Sequence, residues 1–201
     1  MGIFVIMTWT KMKLTACIAA AVAMLCSTEN ASAQRTLAGL YNSPKGFGLQ
    51  VDIESKTAPE FSRIVLYADS YGIFQGRTTT PGAVLSFTRD YIFASQERQD
   101  VIFNLYAGAG ATAGYVHDFE KGSGSLYAGA LSRRMGFAGA LAGNIGVRAD
   151  FGRRLVLDAS LRADLGLFAR AKDENGSVLF SFYRNGALRC LYPQLSLLYR
   201  F

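Results

Sequence analysis

"LVLDASLRADLGLFARAK", residues 155–172, holds two different compositions interleaved one residue at a time. The odd positions read Leu155, Leu157, Ala159, Leu161, Ala163, Leu165, Leu167, Ala169 and Ala171, all apolar. The even positions include Asp158, Ser160, Arg162, Asp164, Arg170 and Lys172, with Val156, Gly166 and Phe168 among them. A helix would scatter both sets around its circumference, whereas a strand sends them to opposite faces. Strands of soluble proteins usually run about three to ten residues. A run approaching twice that length, with one lipid-compatible face, suits a tilted membrane-spanning strand that projects beyond the bilayer.

The same pattern recurs outward from this stretch. Gly139 to Phe151 alternates in the same parity, placing Arg148 and Asp150 with the polar set, and Gly152-Arg153-Arg154 reads as a tight turn between the two. Val101 to Tyr115 sets Val101, Phe103, Leu105 and a row of alanines against Asn104, Tyr106 and three glycines. Weaker copies lie at Phe47 to Glu54, Arg63 to Phe74 and Ala83 to Ala94, a last one begins at Leu191, and Arg35 to Tyr41 is a short eighth candidate. Further hairpin strands at 123 to 131 and 178 to 184 would raise the count to ten. With the C-terminus on the periplasmic side, residues 173–190, 116–136 and 75–82 connect outside and 152–154, 95–100 and 55–62 connect inside. Short inner turns and longer outer loops are the asymmetry of bacterial outer-membrane barrels. The expected fold is all-β, an antiparallel up-and-down transmembrane barrel, most simply of eight strands.

The segment before these strands reads as an address. Lys11 and Lys13 precede an apolar run from Leu14 to Leu25, and Ala31-Ser32-Ala33 forms a cleavage site before Gln34. That is the layout of a secretory signal peptide over 1–33, with residues 1–11 a candidate upstream extension, followed by one barrel domain over 34–201. A lipoprotein signal at Cys26 would need small residues before the cysteine, and Met24 and Leu25 fit it poorly. Cys17 and Cys26 leave with the leader, so the remainder has Cys190 alone and no internal disulfide. The formal net charge of +6 contains no run of like charges, which argues against a nucleic-acid partner.

An eight-stranded barrel has an interior just wide enough for side chains to fill. Arg148, Asp150, Asp158, Arg162, Asp164 and Arg170, with Asp52 and Glu54, are expected to face inward and pair, leaving a plugged interior. Tyr41, Tyr91, Phe93, Tyr115, Phe151, Tyr199 and Phe201 are expected near strand ends as interface aromatics. The chain ends with Leu195, Leu197, Tyr199 and Phe201 in alternation. That ending resembles the C-terminal signature by which outer-membrane proteins are read by the barrel-insertion machinery.

Catalysis finds little support. The one histidine, His117, is followed by Asp118 and Phe119, and no His-x-Ser pair occurs. A His117, Asp118 and Ser123 or Ser125 cluster would be needed for a lipid A deacylase or acyltransferase, since a hydroxyl nucleophile requires a base. No metal-ligand spacing and no cofactor motif is present. Arg133 and Arg134, beside Leu131 and Met135, are candidates for contact with lipopolysaccharide or an envelope partner.

In layout the chain resembles the small outer-membrane barrels of the OmpX/OmpA type. "AQRTLAG" at 33–39, "GFGLQVDI" at 46–53 and "AGAGATAGY" at 107–115 resemble the TraO barrels of conjugative transposons from the Bacteroidetes. That resemblance implies a place in the envelope part of a DNA-transfer apparatus and assigns no catalytic residue. The leading expectation is a monomeric, non-enzymatic outer-membrane barrel in contact with outer-membrane lipid and lipopolysaccharide. A lipid-modifying enzyme using His117 is one alternative. A soluble secreted β-barrel with the apolar faces inward around an apolar ligand is another, because period alone does not tell inside from outside.

Overall fold

The computed structural model describes residues 35–70, 73, 81–117, 135–152, 154–171, 178–185 and 192–201. The leader with Cys26, the outer segment with Arg133 and Arg134, the candidate strand at 123–131 and Cys190 lie outside the described residues. Nine strand segments follow in order: β1 Arg35–Ser43, β2 Gly46–Glu54, β3 Glu60–Asp69, β4 Gly82–Arg98, β5 Val101–His117, β6 Met135–Phe151, β7 Leu155–Ala171, β8 Val178–Asn185 and β9 Tyr192–Arg200. Every pairing is antiparallel, and each strand from β1 to β7 pairs with the next.

The wall closes through β7, β9 and β1. The inner half of β7 pairs with β9, from Leu155 opposite Tyr199 to Arg162 opposite Tyr192. β9 in turn pairs with β1, from Leu37 opposite Arg200 to Asn42 opposite Leu195. Further out, β7 pairs with β8, from Asp164 opposite Asn185 to Ala171 opposite Val178. β8 and β9 therefore occupy one position in the wall, and the barrel has eight strands. The sequence reading placed 173–190 in a single outer linker or in an extra hairpin. Residues 178–185 are instead the outer half of the last strand, its alternating Val178, Phe180 and Phe182 exposed outward.

Following the register around the wall from Leu155 through Tyr199, Ala38, Val51, Ile64, Phe87, Ala111 and Leu141 returns to Leu165, ten residues further along β7. A shear of ten over eight strands spaced about 4.8 Å apart tilts each strand by roughly 40°. The tilt explains why strands of 17 residues are needed on one side.

Two other bounds differ from the alternation. β4 and β5 run on to a two-residue turn at Gln99 and Asp100, where a six-residue linker was expected; Gln99 takes φ 57°. A bulge between Ile92 and Ala94 shifts the register there and breaks the parity that marked the strand. β3 begins at Glu60 rather than Arg63 and ends at Asp69.

The faces are unambiguous. Leu141, Leu165, Leu167, Phe87, Leu49 and Leu197 point outward and are exposed, while Asp52, Arg63, Arg148, Asp158 and Asp164 are buried inside. The soluble alternative required the reverse arrangement. Tyr91, Phe93, Tyr115, Phe151, Tyr199 and Phe201 are exposed on the outer surface. Tyr41 is not one of them: its ring is buried against Tyr67, with centroids 5.3 Å apart.

Candidate functional site

Near the inner end Leu37, Val156 and Leu198 form a small apolar cluster. Beside it stands a charge cluster built from five strands. Arg63 of β3 sits at its centre, 2% exposed, and donates from Nη2 to Asp158 Oδ2 at 2.6 Å, from Nε to Asp52 Oδ1 at 3.3 Å and from Nη1 to Tyr106 Oη at 2.9 Å. The Tyr106 hydroxyl donates in turn to Asp158 Oδ1 at 2.7 Å. Arg148 of β6 pairs with Asp52 and with Glu54 Oε1 at 3.1 Å, and its guanidinium lies over the Phe61 ring, 3.8 Å from the centroid. Neutral groups extend the network: Gln50 donates to Asp52 at 3.0 Å, and Ser196 donates to Gln50 at 2.7 Å.

Arg200 links this cluster to the inner rim, bridging Glu54 at 3.0 Å and Asp150 at 2.8 Å, while Asn104 donates to Asp150 at 2.8 Å. Because Arg200 belongs to the closing strand β9, these bonds tie the chain end to β2 and β6 across the lumen. A second cluster lies farther out. Arg162 pairs with Asp164 at 2.8 Å, Tyr192 donates to Asp164 at 3.0 Å, and Gln194 donates to Tyr41 at 3.0 Å. Tyr41 also belongs to an apolar cluster with Val65, Tyr67, Val84, Val116, Ala138, Ala140, Phe168 and Tyr183, which extends toward the outer end of the bore.

Opposite charges removed from water repay their desolvation only when geometry and extra hydrogen bonds are good. The fork of Arg63 meets that condition with three partners. Small residues make the space. A Cβ on Gly146 would stand 2.5 Å from Tyr106 Oη and 2.7 Å from Ser160 Cβ, so the Tyr106 ring fits only because that wall position is glycine. Gly108 does the same for the Asp90 carboxylate.

The structure brings Arg148, Asp150 and Asp158 together at the inner end and pairs Arg162 with Asp164 farther out. Arg170 is inward and buried near the outer end of β7, opposite Leu179. Leu195, Leu197 and Tyr199 face outward on β9; Phe201 follows that strand, donates its backbone N–H to Thr36 O at 3.1 Å and meets Tyr199 edge to face at 5.3 Å. His117 ends β5 opposite Met135; its side chain, like Asp118, Ser123 and Ser125, lies outside the described residues. Among the described residues no group of three or more His, Cys, Asp or Glu could hold a metal ion.

Sequence reasoning missed the hub. Tyr106 falls in the inward row of 101–115, but Arg63 and Asp90 are absent from the expected interior charges; for Arg63 the reason is that the inward set of β3 is Phe61, Arg63, Val65, Tyr67 and Asp69, mostly apolar. The available signal was the arginine standing between Ile64 and Ser62 in a row that otherwise alternates with lipid-compatible residues.

An eight-stranded, closed, antiparallel barrel with its charges inside and its apolar residues outside is the fold of a small outer-membrane β-barrel. The N-terminal β-barrel domain of Pseudomonas aeruginosa OprF has this fold too: it is similar with a TM-score of 0.51 at 12% identity, over 84% of this chain and 98% of that one. A major outer membrane protein from Thermus thermophilus gives a TM-score of 0.49 at 16% identity, over 84% and 98%. No protein-family profile matches the chain, and no curated protein does.

Proposed function

We propose that this chain is an integral outer-membrane protein without enzymatic activity, whose filled barrel serves as a rigid, non-conducting anchor for its outer connections. The observation that carries this reading is the buried lattice of Arg63, Arg148, Asp52 and Asp158, which spans the bore from wall to wall with almost no exposed surface. A leader over 1–33 exports the chain, lipopolysaccharide and envelope proteins are the partners of the outer segments, and Arg133 and Arg134 are the residues to test there. A place in a conjugative apparatus of the TraO kind is the narrower form of this proposal; it rests on the short motifs at 33–39, 46–53 and 107–115.

The test is gel migration of detergent-extracted membranes, heated against unheated. A closed barrel migrates faster unheated, and single-channel recordings of the same preparation stay closed. A heat shift with steady ion conductance would replace the anchor by a pore. Deleting Phe201 removes the bond to Thr36 and the aromatic chain end, and the folded membrane-embedded fraction is expected to fall several-fold, scored as the heat-shifted band after a short induction. For the enzyme alternative, His117→Ala leaves the lipid A and phospholipid profiles of the membrane unchanged, as read by mass spectrometry.

A further inference from the structure

The outer face carries an anomaly. Among the described side chains of the outward rows, Arg89 is the one cation flanked on its own strand by apolar residues, Phe87 and Tyr91, and it is 53% exposed. An ionisable group facing hydrocarbon is expensive and marks a functional position more often than a random one. Arg89 reaches two residues along the neighbouring strand to Glu60, with Nε 3.2 Å from Oε2 and Nη2 on Oε1. Those bonds use one side of the guanidinium and leave Nη1 outside the fork.

The surroundings have a definite shape. Arg89 stands opposite Ala109 of β5, which is one of four outward alanines, Ala107, Ala109, Ala111 and Ala113. Rows of large side chains flank that floor: Leu85, Phe87 and Tyr91 on β4, and Leu141 and Ile145 on β6. With strands about 4.8 Å apart, the two rows stand roughly 10 Å from each other and bound a shallow apolar channel. Arg89 interrupts the β4 row opposite Ala109, and Glu60 lies just across that row, on β3 opposite Tyr91.

We infer that this channel binds one zwitterionic phospholipid of the periplasmic leaflet, phosphatidylethanolamine in chemical class, with an acyl chain on the alanine floor, its phosphate on Arg89 and its ammonium on Glu60. The proposal rests on the outer-membrane reading above. The order of the charges is what selects the ligand. Arg89 lies on the side of the bilayer centre, and Glu60 lies nearer the inner rim, where the short turns and both strand termini of the wall are. In a phospholipid of that leaflet the phosphate is likewise the deeper group and the ammonium the outer one. An anionic headgroup would meet Arg89 but be repelled by Glu60, so the pair discriminates against it. A phosphate held by a guanidinium makes a charge-assisted, directional bond.

The experiment is native mass spectrometry of the full chain released from mild detergent after incubation with equal amounts of phosphatidylethanolamine and phosphatidylglycerol of the same acyl composition. The heat shift is recorded first on the same preparation; its absence would overturn the membrane reading and this site with it. With the shift present, the expected result is one retained phosphatidylethanolamine, favoured about tenfold over phosphatidylglycerol. Arg89→Leu, an apolar change on an apolar face, keeps the shift and loses the retained lipid. Glu60→Gln reverses the preference toward phosphatidylglycerol, because Arg89 then stands unneutralised. Equal retention of both lipids by the unaltered protein, or an unchanged preference in both variants, overturns the site. A mass corresponding to two chains, lost in Arg89→Leu, would give the channel to a second copy instead and also overturn it.

Discussion

Arg63→Ala is expected to lower the stability of the folded barrel by about 3–5 kcal/mol, the cost of leaving buried charges without their partner. Asp52, Asp158 and the Tyr106 hydroxyl all direct oxygens at this one guanidinium, and Asp90 Oδ2 lies 3.6 Å away. Without it, three carboxylates share the neighbourhood with Arg148 alone. The measurement is the urea midpoint of the heat-shifted band in detergent. Because the loss comes from uncompensated negative charge and not from lost volume, adding Asp158→Asn to Arg63→Ala should recover part of it. Arg63→Met, which restores volume but no charge, should recover less. A midpoint unchanged by Arg63→Ala would mean that water enters the bore and screens the cluster, and the anchor proposal would fall with it.

The second large effect comes from the opposite wall. Gly146→Val places a side chain where Tyr106 Oη and Ser160 Cβ already lie. The tyrosine must swing away, and its bonds from Arg63 and to Asp158 are lost together. Overpacking and the loss of charge-assisted hydrogen bonds each cost about 1–3 kcal/mol, so a fall of roughly 2–4 kcal/mol is expected. Gly146→Val with Tyr106→Phe should lose less than the sum of the two single changes, since both act through the same hydroxyl. Additive losses would show that Gly146 and Tyr106 do not share a volume in solution.

Arg63 and the interior charges of β7 differ in how readable they are in the sequence. Asp158, Arg162 and Asp164 stood out in the sequence because their strand has a wholly apolar opposite face. Arg63 lies on a strand with apolar residues on both faces, as does β1, where Leu37 and Tyr41 point inward and Leu40 outward. The reason is that the lumen holds apolar clusters beside its charges. Where the bore is apolar, around Leu37 and around Tyr41 and Tyr67, the inward set no longer contrasts with the outward set, and the period of two fades. Tyr41 reads as an interface residue for the same reason, since a tyrosine serves equally well in an aromatic girdle and in a packed bore.

Period and length together determined that this chain forms long two-faced antiparallel strands, because a two-residue repeat sustained over 155–172 is compatible with no helix. Its short inner turns and alternating aromatic ending determined the up-and-down order. What only the tertiary structure decided was which face is inside, that β8 and β9 share one wall position, and that the register returns ten residues along β7. Those are properties of closure. They depend on which strands meet across the seam, and pairing between residues 37 and 200 leaves no local trace in either segment. The partners of each interior charge follow from that register, since tilt and shear bring Arg63, Arg148 and Asp158 to one height from strands far apart in the chain.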